Sequence, residues 1–218
     1  MSEGVVFNAD DVRGRIANNL GKASAQNIRS LFSEINPHLV GDALFESRWS
    51  DIRKDAAVLV PVMVRSEPTV LLTVRSSDMP SHAGQISFPG GKVQAGDQSR
   101  IDTALREAEE EVAIPRDRVD VIGSLGVHNG GLGFSVTPVI GMVQPDVALS
   151  ACPREVAEIF EVPLSFVANL DNHITEERDH KGVKYNMFAA PFGRFHIWGL
   201  TAGILRSFAS TLQNSTTP

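Results

Sequence analysis

Residues 56–76 carry two apolar, valine-rich runs, AAVLVPVMV and TVLLTVRS, separated only by RSEP. Valine and isoleucine suit the pleated surface of a sheet, and a short polar link between two such runs is a hairpin pattern. Further strands are expected in VDVIGSLGV and FSVTPVIGMV, where the Asn129-Gly130 pair between them predicts a turn. One more is expected in IFEVPLSF, and another in YNMFAAPFGRFHIW. Helical spacing appears three times. Val12, Ile16 and Leu20, then Ile28, Leu31, Phe32 and Ile35, predict helix over 10–36, with Gly21 separating two short helices and Pro37 ending the second. The other two helices are an acidic one over 99–112 and a closing one over 198–212. Strands with helices inserted between them predict an α/β or α+β sandwich rather than a bundle.

A chain of 218 residues fits one domain, with or without an appendage. Its 26 acidic and 20 basic residues give a net charge of −6, and no Lys/Arg-rich run offsets it. Such a surface repels a phosphate backbone, so a general nucleic-acid partner is not expected. The lone Cys152 excludes an internal disulfide and a Cys-rich zinc knuckle. No basic-then-apolar leader opens the sequence, and no apolar run is long enough to cross a bilayer. A reducing cytoplasm is the expected compartment.

The stretch LREAEEEVAI places four glutamates within positions 107–111. Like charges three or four residues apart on a helix are destabilising, so their crowding asks for a reason. At about 100° per residue, Ile101, Ala104, Leu105, Ala108 and Val112 form an apolar stripe. Glu107, Glu110 and Glu111 share the neighbouring face, while Asp102, Arg106 and Glu109 fall on the far side. Three convergent carboxylates suit a hard divalent cation, Mg²⁺ or Mn²⁺. The alternative is a solvated acidic face with Arg106 paired to Glu110. The loop before the helix, FPGGK, has two glycines where the backbone can turn tightly and a carbonyl can approach a metal.

These residues resemble the Nudix hydrolase box: Gly, five residues, Glu, seven residues, then Arg-Glu-apolar-x-Glu-Glu-x-Gly-apolar. This chain has Gly91, five residues, Asp97, eight residues, and then Arg106 through Ile114. It departs at Asp97, in the extra spacer residue, and at Ala113 in place of the last Gly. The stretched box is similar to that of the coenzyme A pyrophosphatase branch. So is the upstream LLTVRSSDMPSHAGQISFPGG, which matches that branch except that Pro80 stands where a second Arg is expected. The resemblance covers residues 71–114 most strongly.

The resemblance implies an α/β/α sandwich with a mixed sheet. Its domain is expected over 41–212, after an N-terminal helical arm (1–40) and before a frayed tail (213–218). It also implies hydrolysis of the diphosphate of coenzyme A or its thioesters, to 4′-phosphopantetheine and adenosine 3′,5′-bisphosphate. ADP-ribose, NADH or dinucleoside polyphosphates are alternative substrates, and a non-catalytic nucleotide sensor is the alternative class. By the same analogy Glu107 and Glu111 are the principal ligands of Mg²⁺ or Mn²⁺, Glu110 assists, and the Gly90 carbonyl completes the shell. Arg106 orients a glutamate. Glu155 is a candidate general base or else a surface carboxylate. Arg75, His82, Gln85 and Lys92 are candidates for the substrate phosphates and the pantetheine arm, with His82 equally able to brace the loop. The expected partners are a small nucleotide substrate and, as an option, a second copy of the chain. No Gly-x-Ser-x-Gly elbow is present, and GGKV lacks the Ser/Thr of a P-loop.

Overall fold

The computed structural model describes residues 7–25, 28–42, 54–79, 81–130, 133–180 and 182–213. Pro80 and the residues beyond 213 therefore lie outside the described residues. Helices α1 (Ala9–Ala25) and α2 (Ile28–Ile35) come first. The two valine-rich runs follow as β1 (Lys54–Met63) and β2 (Thr69–Arg75), paired antiparallel with Val62 opposite Val70. From the glycine-bearing loop come two short strands, β3 (Ile86–Ser87) on β2 and β4 (Gly90–Lys92) on β1, both antiparallel. The acidic helix is α3 (Arg100–Val112).

Three more strands, β5 (Val119–Ser124), β6 (His128–Gly130) and β7 (Phe134–Val143), extend the sheet. β7 runs parallel to β1 along its whole length, from Lys54 opposite Phe134 to Met63 opposite Val143. β8 (Val156–Pro163) closes the other side against β2, which makes a mixed sheet of eight strands. After a short α4 (Leu164–Ala168) come β9 (Ile174–His180), β10 (Val183–Phe192) and β11 (Phe195–Trp198). These form a separate three-stranded sheet, and α5 (Gly199–Thr211) ends the fold.

Strand periodicity sorts the core into two layers. On β1, Ala57, Leu59 and Met63 face α3 and meet Ala104, Ala108 and Val112. The alternate residues Ala56, Val60 and Val62 face the opposite way, into a layer with Val12 and Ile16 of α1 and Ile204, Leu205 and Phe208 of α5. The sheet is thus covered by helices on both faces, the α/β/α arrangement with helices ahead of the sheet. A parallel pair such as β1–β7 requires this cover, and it explains why both strands are apolar on nearly every residue.

Five local expectations are corrected. Gly21 does not break the first helix, which runs on to Ala25. A mid-helix glycine costs about 1 kcal/mol, and burial of Val12, Ile16 and Ala23 on one face outweighs it. Asn129 and Gly130 lie in β6, opposite Ser135 and Phe134, and are paired strand residues rather than a turn. The segment 185–198 is a hairpin of two strands, turned at Gly193, where φ is +55°. Ile101 is 39% exposed and outside the apolar stripe. Arg106 does not sit on the far side of its helix, for its side chain is drawn back over the glutamates by Asp97.

Candidate active site

Helix α3 is fixed at both ends. Ser99 Oγ accepts the Asp102 N–H at 3.1 Å as N-cap. At the other end Ala113 adopts the left-handed conformation, φ 59° and ψ 36°, and its N–H returns to the Glu109 carbonyl. Between them the apolar stripe is pulled onto the sheet. Glu107 and Glu111, one turn apart, are carried inward with it and are 8% and 2% exposed.

The glycine pair makes room for them. Gly90 N–H donates to Glu111 Oε2 at 3.2 Å. A Cβ on Gly90 would lie 2.6 Å from Val58 Cα, and a Cβ on Gly91 would overlap the Glu107 carboxylate. Both positions therefore need glycine for close approach, one to a strand backbone and the other to an acid.

Arg106 is the organising cation. Its Nε and Nη2 grip the two oxygens of Asp97 at 2.9 and 3.0 Å. Its Nη1 donates to Glu107 Oε1 at 2.8 Å and to Glu110 Oε2 at 3.1 Å. Nη2 also donates to the Lys92 carbonyl, which ties β4 to the helix. Thr103 Oγ1 adds a bond to Asp97 at 2.8 Å. The guanidinium holds the Asp97 carboxyl well below the usual carboxylate range, and Asp97 in turn raises Arg106. Sequence reasoning gave Asp97 no role. Its place at the acidic position of the box was the available signal.

Burial pushes the Glu111 carboxyl up to about 7, against the Gly90 N–H and Arg75, with repulsion from Glu107 and Glu155 adding to the rise. Burial raises Glu107 too, and Arg106 only partly offsets it. Arg75 Nη1 stands 3.9 Å from Glu111 Oε1, and its buried Nε has no hydrogen-bond partner. Glu155 acts electrostatically on both buried acids. Its loop is anchored to the helix end by the Cys152 N–H to the Glu111 carbonyl at 2.9 Å.

Desolvated, mutually repelling carboxylates with an oxygen-only donor set fit a hard divalent cation. Among the described residues no three acidic, His or Cys side chains are already drawn into a tight cluster. Glu110 is the reason on this helix, for its side chain is 56% exposed and turned toward Arg106.

The structure thus brings together Glu107, Glu111, Arg106, Gly90, Arg75 and Glu155, with Glu110 at the rim. The remaining candidates stand elsewhere. Lys92 turns its ammonium over the Phe134 ring, 5.7 Å from the centroid. His82 Nδ1 binds Gln85 Oε1 at 2.6 Å within the loop. Gln85 lines a cleft with Val74, and Val74 packs into the core layer opposite α3.

The chain is 44% identical over 166 residues to the uncharacterized Nudix hydrolase NudL of Photorhabdus laumondii, covering 76% of this chain and 89% of that protein. The protein of the same name from Cronobacter sakazakii is 45% identical over 163 residues, 75% of this chain and 85% of its own length. Among solved structures, a MutT/nudix family protein from Enterococcus faecalis aligns with a TM-score of 0.48 at 18% identity, covering 80% of this chain and 71% of that one. The NUDIX domain family matches residues 53–184, and the chain belongs to the Nudix hydrolases as a pyrophosphohydrolase.

Proposed function

We propose that this chain hydrolyses the diphosphate of coenzyme A or its thioesters, giving 4′-phosphopantetheine and adenosine 3′,5′-bisphosphate, with Mg²⁺ or Mn²⁺ as cofactor. The observation that carries the proposal is the buried pair Glu107 and Glu111 beside Gly90–Gly91, reached by Arg75 from the strand that opens the LLTVRS sequence. Glu107 and Glu111 would hold the cation, with Glu110 at the rim and the Gly90 carbonyl as further donors. A bound divalent cation would neutralise diphosphate oxygens and activate a water. Arg75 steadies a phosphate through its guanidinium, whose Nε has no protein partner. Arg106, locked by Asp97, sets the direction of the Glu107 carboxylate. Glu155 takes the proton from the attacking water as the P–O–P bridge breaks. A cytoplasmic location suits such a substrate.

The test is a substrate panel with Mg²⁺ or Mn²⁺: coenzyme A, ADP-ribose, NADH and diadenosine polyphosphates, with products identified by mass. Coenzyme A is expected to turn over fastest, and Glu111→Gln to abolish turnover while the melting temperature is kept. Faster cleavage of ADP-ribose than of coenzyme A would overturn the substrate assignment. Nucleotide binding without turnover of any compound would replace the enzyme with a sensor.

A further inference from the structure

Val74 and Arg75 are successive residues of β2, so their side chains leave opposite faces of the sheet. Arg75 reaches Glu111, whereas Val74 forms part of the floor of a cleft of about 360 Å³ on the other face. That volume lies within the range of small-molecule sites. Ile86 completes the floor. One wall is the end of the LLTVRS loop, which is tied to β2 by the Arg75 N–H to the Gln85 carbonyl at 2.9 Å and the Gly84 N–H to the Arg75 carbonyl at 3.1 Å. The other wall is β11, with Phe195 and Trp198.

Among the described residues β11 is paired on one side only, since the small sheet runs β11–β10–β9. An edge strand presents backbone N–H and C=O groups to whatever lies beside it, and here that is the cleft. The hairpin closes on Phe192 and Phe195, so Pro191–His196 and Ala189–Trp198 are the non-hydrogen-bonded pairs, and the His196 and Trp198 backbone groups point away from β10. Across the cleft, His82 occupies Gln85 Oε1 and leaves the carboxamide NH₂ available. Phe195 is already stacked on Phe160 at 3.7 Å with Arg194 over its ring at 4.6 Å, and Arg178 lies over Trp198. The aromatic faces are thus largely taken. The free features are backbone edge groups, one amide and an apolar floor, and together they match an extended chain of amides better than a flat ring.

We propose that the cleft seats an extended, amide-bearing arm of the substrate, hydrogen-bonded along the free edge of β11 and to the Gln85 carboxamide. This rests on the assignment of Glu107 and Glu111 as the diphosphate site. An extended chain advances roughly 3.3 Å per residue, so an arm four residues long covers about 13 Å. The β11 edge would then separate coenzyme A from ADP-ribose, which shares its adenosine diphosphate but has no amide arm.

The test uses the isotope-labelled full chain titrated with 4′-phosphopantetheine and, separately, adenosine 5′-monophosphate, followed by amide resonances and hydrogen exchange. Phosphopantetheine is expected to shift the His196 and Trp198 amides, which face the open edge, and to slow their exchange about tenfold. Gln85→Ala is expected to weaken its binding roughly five-fold. The monophosphate is expected to leave β11 unmoved. A response of β11 to the monophosphate alone, or to neither probe, overturns the proposal. Coenzyme A turnover with a silent β11 removes only the cleft assignment. A β11 response in a protein that cleaves no diphosphate removes the carboxylate assignment instead.

Discussion

Gly90 and Gly91 are neighbours with opposite vulnerabilities. A methyl on Gly90 meets the Ala57 carbonyl and Val58 Cα, which are strand backbone in the middle of the sheet and cannot step aside. Gly90→Ala is therefore expected to cost about 3 kcal/mol of stability, read as a fall in the denaturant midpoint. A methyl on Gly91 meets only the far end of Glu107, a side chain that can swing away. Gly91→Ala should leave the midpoint nearly unchanged yet lower kcat about 100-fold, because a displacement near 1 Å in a reacting group is enough to do so. An unchanged kcat in Gly91→Ala would show that Glu107 has no such place in the chemistry, and equal losses of stability that its side chain cannot swing away. The sequence shows two glycines in a loop, but only the packing of β4 between β1 and α3 shows that one serves the fold and the other an acid.

At the scale of the element, α3 keeps a cost at its end. Ala113 holds a left-handed conformation that disfavours any Cβ, at the position where the Nudix box has glycine. Ala113→Gly should stabilise the protein by roughly 1 kcal/mol, raising the melting temperature by about 2–4 °C. A decrease would mean that the alanine methyl makes contacts worth more than the strain. The helix itself, its inward glutamates and the hairpin of β1 and β2 were legible because period and spacing survive in the linear sequence. β9 was not legible. ITEERDH has no alternation of apolar residues, and it becomes a strand by pairing with β10, with Glu177 bonded across to Lys184. The position of Arg106 was misread for a similar reason. A helical wheel places Cβ atoms, whereas a long guanidinium goes where Asp97 and two glutamates draw it.

Across the whole molecule, the layer opposite α3 is pinned by a buried histidine. His128 on β6 is fully buried, with Nδ1 donating to the Gly126 carbonyl at 2.7 Å and Nε2 lying 3.0 Å from Ser207 Oγ on α5. Burial lowers its pKa from the ordinary 6.5 to about 4, because a charged ring there would lose its hydration. The unfolded chain therefore binds the extra proton between pH 6.5 and 4 while the folded chain does not, so stability falls as pH drops through that window. The loss reaches on the order of 3 kcal/mol by pH 4. Glu111 works in the opposite sense, since a carboxyl raised from 4.5 to about 7 favours the folded state at low pH and loses that contribution as pH rises through 7. Comparing the wild type with His128→Gln cancels the Glu111 contribution, which is common to both. Denaturation series at pH 7, 6, 5 and 4 should show a shallower decline in the variant, the two curves converging as pH falls. Parallel curves would place the charged imidazole comfortably in the fold, and the link between β6 and α5 would then need another source.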